Sequence, residues 1–157
     1  MATAIIYASK YGCAADCAAY LQNHLAGGVT LMDINASQAI DLGKFDKVII
    51  GGSVYAGAVA KKLRVFCEQN IDALVQKKVG LFLCCASAAE AQKYFVGNFP
   101  VKLVSSAVIT ETFGGEARVD KMGFFFKLIL RIAMKGDYSS LQIAYDNMER
   151  FAESFNV

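Results

Sequence analysis

Apolar runs of four to eight residues alternate along this chain with segments whose apolar positions recur every three or four residues. Strands buried on both sides read as unbroken apolar runs, and helical crossovers join such strands, so the two periods together predict a parallel sheet with helices packed on it. The pattern predicts strands near 3–8, 29–33, 46–51, 78–85 and 103–111, with helices near 13–26, 60–75, 90–96 and 139–155. Gly27-Gly28 closes the first helix, Gly43 precedes the third strand, and Gly97-Asn98-Phe99-Pro100 separates the fourth helix from the fifth strand. In the third-strand crossover, Leu63, Phe66, Cys67, Ile71 and Leu74 share a face while Lys61, Lys62, Arg64, Glu68 and Gln69 lie elsewhere. Five βα units with right-handed crossovers put helices on both faces of the sheet.

Length and composition narrow this to one packed domain. The 157 residues suffice for one full core, and 55% hydrophobic with 19% charged residues describes a globule rather than a disordered or coiled-coil chain. A net charge of +2 gives no basic stripe of the kind nucleic acid requires, so no nucleic-acid partner is expected. Five cysteines, an odd number, and an N-terminus that leads directly into a strand point to reduced thiols and a cytoplasmic setting. Cys13 and Cys17 lie one helical turn apart. Thiols at a helix N-terminus can have depressed pKa values, but small buried cysteines on an Ala-rich helix are the commoner case. No metal site is expected: His24 is the sole histidine, Cys-x-x-Cys does not occur, and Cys84-Cys85 are strand neighbours facing opposite sides.

One segment exceeds a bare five-unit fold. Around 118–135, Lys127, Arg131 and Lys135 recur every four residues, while Met122, Phe125, Phe126, Ile129, Ile132 and Ala133 can share the opposite side. This predicts an inserted amphipathic helix, too short and too charged to span a bilayer. Packed on the domain, its long basic side chains would reach water. As a docking surface, it would meet an anionic membrane face or an acidic partner. Phe124, Phe125 and Phe126 cannot all point inward from one helix, so at least one meets a partner, a ligand or lipid.

In a doubly wound sheet, ligands bind beyond the carboxyl ends of the strands, where the strand order reverses. Three predicted loops lie there. In the first, Ser9 offers a hydroxyl, Lys10 a charge and Gly12 close backbone approach, Tyr11 intervenes, and Cys13 and Ala14 open a helix whose N–H groups can face an anion. The turn suits a phosphate monoester but matches neither the ATP-binding P-loop nor the dinucleotide fingerprint. In the second, Ser53-Val54-Tyr55-Ala56-Gly57 supplies a hydroxyl, a ring able to stack on a flat cofactor, and at Gly57 a peptide able to reorient. In the third, Ala86-Ser87-Ala88 brings small residues and backbone groups toward the edge of a ring system, with Ser87 as helix cap and Glu90 three residues on.

The order of strands, the Ser9-to-Ala14 turn, the Ser53-to-Gly57 loop and the third loop together resemble the flavodoxin family, over nearly the whole chain. The resemblance implies an α/β flavodoxin-like three-layer sandwich with a five-stranded parallel sheet in the order 2-1-3-4-5, and FMN as cofactor. It places the phosphate on 9–14, the isoalloxazine against Tyr55, and backbone groups near 56–57 and 86–88 at the ring edge. Tyr11 and Ala14 stand where the family's first turn usually carries hydroxyl residues, which removes two phosphate contacts but leaves the backbone N–H groups. Phe113-Gly114-Gly115, the basic aromatic segment and Met134-Lys135-Gly136-Asp137 resemble the branch containing menaquinone-dependent protoporphyrinogen oxidase. That branch implies a quinone as electron partner and contact with the inner membrane face. The functions carried forward are FMN-dependent electron transfer with a redox partner protein, a quinone-coupled oxidase, and a cofactor-free interaction module. Catalytic residues and oligomeric state have no signature in the sequence.

Overall fold

A computed structural model describes residues 1–36, 39–85, 87–115 and 142–157. Five strands, β1 (Ala2–Ala8), β2 (Gly28–Asp33), β3 (Lys47–Ser53), β4 (Lys78–Cys84) and β5 (Ile109–Thr112), form one sheet. Its order is β2-β1-β3-β4-β5, with every pairing parallel, as expected from the resemblance. The register sets Ala8 beside Gly52 and Ser53 beside Cys84, so β1, β3 and β4 release their loops side by side. Between β1 and β3 the order reverses, which opens the crevice where such sheets take ligands.

Strand side chains alternate between faces, and the two faces bury different chemistry. One is mostly aliphatic: Ala4, Ile6, Val48, Ile50, Val79, Leu81 and Leu83 meet Leu63 and Cys67 of α2 (Lys61–Gln69), Leu74 of α3 (Ile71–Leu74), Phe95 of α4 (Ala91–Asn98) and Leu103 of α5 (Val101–Ser106). The other is aromatic and thiol-rich: Ile5, Ile49, Phe82, Cys84 and Phe113 meet Cys13, Cys17 and Leu21 of α1 (Cys13–His24) and Phe151 and Phe155 of α6 (Tyr145–Asn156). Phe82 stacks on Phe113 at 4.8 Å, Phe113 meets Phe151 edge-on at 5.4 Å, and Phe151 stacks on Phe155 at 6.0 Å. Each such pair adds about 0.5–1.5 kcal/mol beyond area burial. Gly51 makes room for this stack, because a Cβ there would run into the Phe82 ring.

Element boundaries depart from the sequence pattern at several points. The stretch expected as a strand over 103–111 divides into helix α5 and the short strand β5. Pro100 decides the difference: its carbonyl accepts the N–H of Leu103 and of Val104, closing a helical turn that the alternation Val101, Leu103 disguises. The helix expected over 60–75 breaks at Asn70, whose side-chain amide donates to the Phe66 carbonyl. The last helix begins at Tyr145 rather than 139, and just before it Ile143 bridges Gly114. The helix expected near 118–135 lies outside the described residues.

Candidate functional site

The first loop, expected to hold an anion, folds from local forces. Gly12 has φ +97°, a left-handed conformation that costs a non-glycine residue about 1–2 kcal/mol, and its N–H donates to Ser9 Oγ at 3.1 Å. This closes the turn and starts α1 at Cys13, where the N–H of Asp16 takes the Gly12 carbonyl. Gly12 at the cap position supplies no side-chain bond, and the first turn of α1 carries the positive end of the helix dipole. Ala14 and Cys13 are buried, with their side chains in the core. Asp16 in the first turn is exposed, and its negative charge offsets part of the positive potential at this end of the helix.

The second loop is a tight reversal. Tyr55 and Ala58 exchange both backbone hydrogen bonds, at 2.9 and 3.0 Å, and the two residues between them, Ala56 and Gly57, have φ +50° and +79°. Positive φ at both central positions is the signature of the turn that suits right-twisted strands. Gly57 meets this at little cost, whereas Ala56 is strained. The reversal is clamped by Asn98 at the end of α4. Its buried side chain donates to the Gly57 carbonyl at 3.0 Å and the Tyr94 carbonyl at 2.9 Å, and accepts the Val59 N–H at 2.9 Å. The Gly57 peptide, expected to reorient freely, is therefore pinned.

Between these loops lies a cavity of about 500 Å³, within the usual range for a small-molecule site. Of the residues expected to bind a cofactor, Ser9, Lys10, Ser53 and Tyr55 line it; Ala8, Asn35, Ala58, Val59 and Ala60, which the sequence did not single out, complete it. Asn35 comes from the turn after β2, where its N–H takes Asp33 Oδ1. Asn98 is the other missed residue. Nothing local marks it, since it acts on a loop some 40 residues earlier. Val54, Ala56, Gly57, Tyr11, Gly12, Cys13 and Ala14 frame the loops without lining the cavity.

Tyr11 meets Tyr55 edge-on, with ring centroids 5.3 Å apart, and the Lys10 ammonium lies 5.5 and 5.8 Å from the two rings. Burial pushes the Tyr55 phenol up to about 12, with the neighbouring Ser53 hydroxyl acting against the shift and the nearby Cys13, Tyr11 and Cys84 adding to it. Ser53 Oγ is itself buried and has no hydrogen bond of ordinary geometry, an orphaned polar atom at the cavity wall. Such an atom costs about 1–3 kcal/mol unless a ligand or water completes it.

The third loop contributes less. Ser87 and Ala88 do not reach the cavity, and Ala86 lies outside the described residues. Ser87 was expected to cap the next helix through its hydroxyl; instead its carbonyl takes the Glu90 N–H at 3.4 Å, and no side chain caps the turn. Glu90 is held by the Tyr94 hydroxyl at 2.6 Å. His24, at the far end of α1, stacks on Tyr20 at 4.0 Å, away from all three loops. No disulfide links any of the five cysteines, and all five are buried. Cys17 is pushed up to about 12, because its hydrogen bond with Cys13 holds the proton against the opposing Cys84 contact, with burial adding to the shift. The depression that a helix N-terminus can give is not realised there.

Residues 4–142 match the flavodoxin domain. This chain belongs to the flavodoxin-domain family. No curated protein matches it by sequence. Solved structures share its fold at low identity. The flavodiiron core Flv1 of Synechocystis sp. PCC6803 is 16% identical with a TM-score of 0.61; the match covers 99% of this chain but 36% of that one. A flavodoxin of Streptococcus pneumonia TIGR4 is 19% identical with a TM-score of 0.57, over 99% and 97% of the two chains. A flavoprotein from Lactobacillus acidophilus NCFM in complex with FMN is 14% identical with a TM-score of 0.53, over 76% and 97%. The chain thus spans about a third of the flavodiiron core's length and nearly all of the flavodoxin's.

Proposed function

We propose that this flavodoxin-domain protein binds FMN at the β1–β3 crevice and serves as an electron carrier or oxidoreductase. The observation that carries the reading is one cavity lined both by Ser9 and Lys10, which lead through left-handed Gly12 into the start of α1, and by the orphaned buried hydroxyl of Ser53. The first suits a dianionic phosphate and the second a polar atom of the cofactor. When bound, FMN supplies reversible uptake of electrons and protons, and the protein sets its orientation and potential.

The chain's own residues define that environment. Lys10 and the α1 N-terminus offset the phosphate charge. Tyr55, a phenol that burial pushes further above its ordinary value, is neutral at physiological pH and presents an aromatic wall without adding charge. No acidic side chain lies in 52–59, while exposed Lys61 and Lys62 follow, which favours a negatively charged reduced flavin and raises the second reduction potential. Asn98 fixes the Gly57 carbonyl, so the loop meets the cofactor in one arrangement.

Purified protein equilibrated with FMN and passed through a desalting column tests this. Flavin absorbance should remain with the protein, and riboflavin, which lacks the phosphate, should bind at least about tenfold more weakly. Protein that emerges colourless with both would overturn the reading in favour of a cofactor-free interaction module, to which Tyr11 and Ala14 already lend some support. A quinone-coupled oxidase at a membrane surface is a narrower form of the same proposal. It rests on the sequence of 118–135, and among the described residues no helix is long and apolar enough to cross a membrane.

A further inference from the structure

Below the phosphate turn, the fold assembles three thiols that sequence spacing keeps apart. Cys13 and Cys17 follow one another by a turn on α1, and Cys84 ends β4. Their three sulfur atoms all lie within 4.8 Å of one another, and Cys17 Sγ and Cys84 Sγ are 3.7 Å apart. The residues are 4%, 1% and 3% exposed, in the core cluster that also holds Ile5, Ile49, Phe82 and Phe113. Among the described residues, no histidine or carboxylate joins the group.

We propose that Cys13, Cys17 and Cys84 form a three-coordinate site for a soft monovalent metal ion, namely Cu(I). Geometry supports the coordination number. A metal–thiolate bond of about 2.3 Å places the three sulfurs of a trigonal site roughly 4 Å apart, so the present spacing needs only small side-chain rotations. Ligand chemistry supports the metal. Thiolates select Cu(I) among the biological cations that accept three ligands, while Zn(II) takes four, and among the described residues the apolar surroundings supply no fourth protein ligand. Binding exchanges thiol protons, released to solvent, for the metal, with no change of oxidation state. The residual negative charge lies at the first two turns of α1, whose dipole favours it.

The site is separate from the proposed flavin crevice but close enough to act on it. The Cys13 and Cys84 thiols lie within electrostatic range of the Tyr55 phenol, and Cys13 is the first residue of the helix that faces the phosphate. A negatively charged metal centre there should weaken binding of a phosphate dianion, coupling the two sites reciprocally.

The test uses the reduced, flavin-free protein under anaerobic conditions, titrated against the coloured Cu(I) complex of bicinchoninate. The native chain should withdraw one equivalent of copper. Cys17→Ala and Cys84→Ala should each lose that equivalent, while Cys67→Ala, on the opposite face of the sheet, should keep it. Should the cluster variants fail to fold, X-ray absorption of the copper-loaded native protein decides instead, with three sulfur neighbours and no nitrogen or oxygen expected. The proposal is overturned by any of four results: no withdrawal from the chelator, withdrawal insensitive to Cys17 and Cys84, two sulfur neighbours, or a Cys17–Cys84 disulfide in place of bound metal. None of these readouts depends on FMN.

Discussion

The turn at 9–14 closes on itself, whereas the loop at 53–59 is held from the far end of α4. In the first, a serine hydroxyl takes the amide of a glycine three residues on, and the helix that follows supplies the rest. In the second, the reversal at Tyr55–Ala58 includes a strained Ala56 and depends on two hydrogen bonds with the Asn98 side chain, one given to the Gly57 carbonyl and one accepted from the Val59 N–H, while a third ties Asn98 to its own helix. Local chemistry can specify a turn of the kind proposed to hold an anion, because such sites are built from backbone. A wall for a planar ring needs a side chain held at a fixed height and angle, and that requires support from elsewhere in the fold.

Breaking the clamp should have the largest effect. Asn98→Ala leaves the buried Val59 N–H without its partner, so stability should fall by about 2–3 kcal/mol in urea unfolding, with Tyr55 more solvent-exposed by fluorescence quenching. A loss of only about 0.5 kcal/mol, the range of an ordinary surface change, would mean that the loop supports itself. Breaking the turn should cost less stability but more binding. Gly12→Val forces a β-branched residue to positive φ, for about 1–2 kcal/mol, and should weaken FMN by roughly tenfold while leaving Tyr55 quenching unchanged. Equal disturbance of Tyr55 by both variants would erase the contrast between the loops.

The smallest effect appears only at alkaline pH. Burial raises the Tyr55 phenol from 10.0 to about 12, so the unfolded chain loses this proton near pH 10 while the folded chain holds it. The associated stability is intact below pH 10 and is lost as the pH rises from 10 toward 12. In Tyr55→Phe, the fall of the melting temperature across that window should be shallower than in the native protein. Parallel curves for the two would place the Tyr55 hydroxyl in water rather than at a buried wall.

Much of this was legible in the residues. The alternation of apolar runs with helical periods located all five strands, and of the residues expected to bind a cofactor, Ser9, Lys10, Ser53 and Tyr55 line the cavity. The fifth strand was drawn too long because Val101 and Leu103 alternate as a strand would, and the helix-closing carbonyl of Pro100 outweighs that pattern. Ser87 reads as a cap by spacing, yet its hydroxyl is not used, since the carbonyl closes the turn first. Asn98 reads as a loop residue after Gly97, and its role depends on where α4 ends relative to a distant turn.

Sequence by itself determined the parallel sheet, the glycine turn that opens α1 and the aromatic loop, because strand burial, a left-handed glycine and a helix start are each encoded within a few neighbouring residues. Only the tertiary structure decided that the Gly57 peptide is pinned, that Ser53 is left an orphaned hydroxyl, and that Cys84 joins Cys13 and Cys17. Each of these rests on atoms brought together across the sheet by register and helix packing, and contacts between residues tens of positions apart leave no periodic trace along the chain.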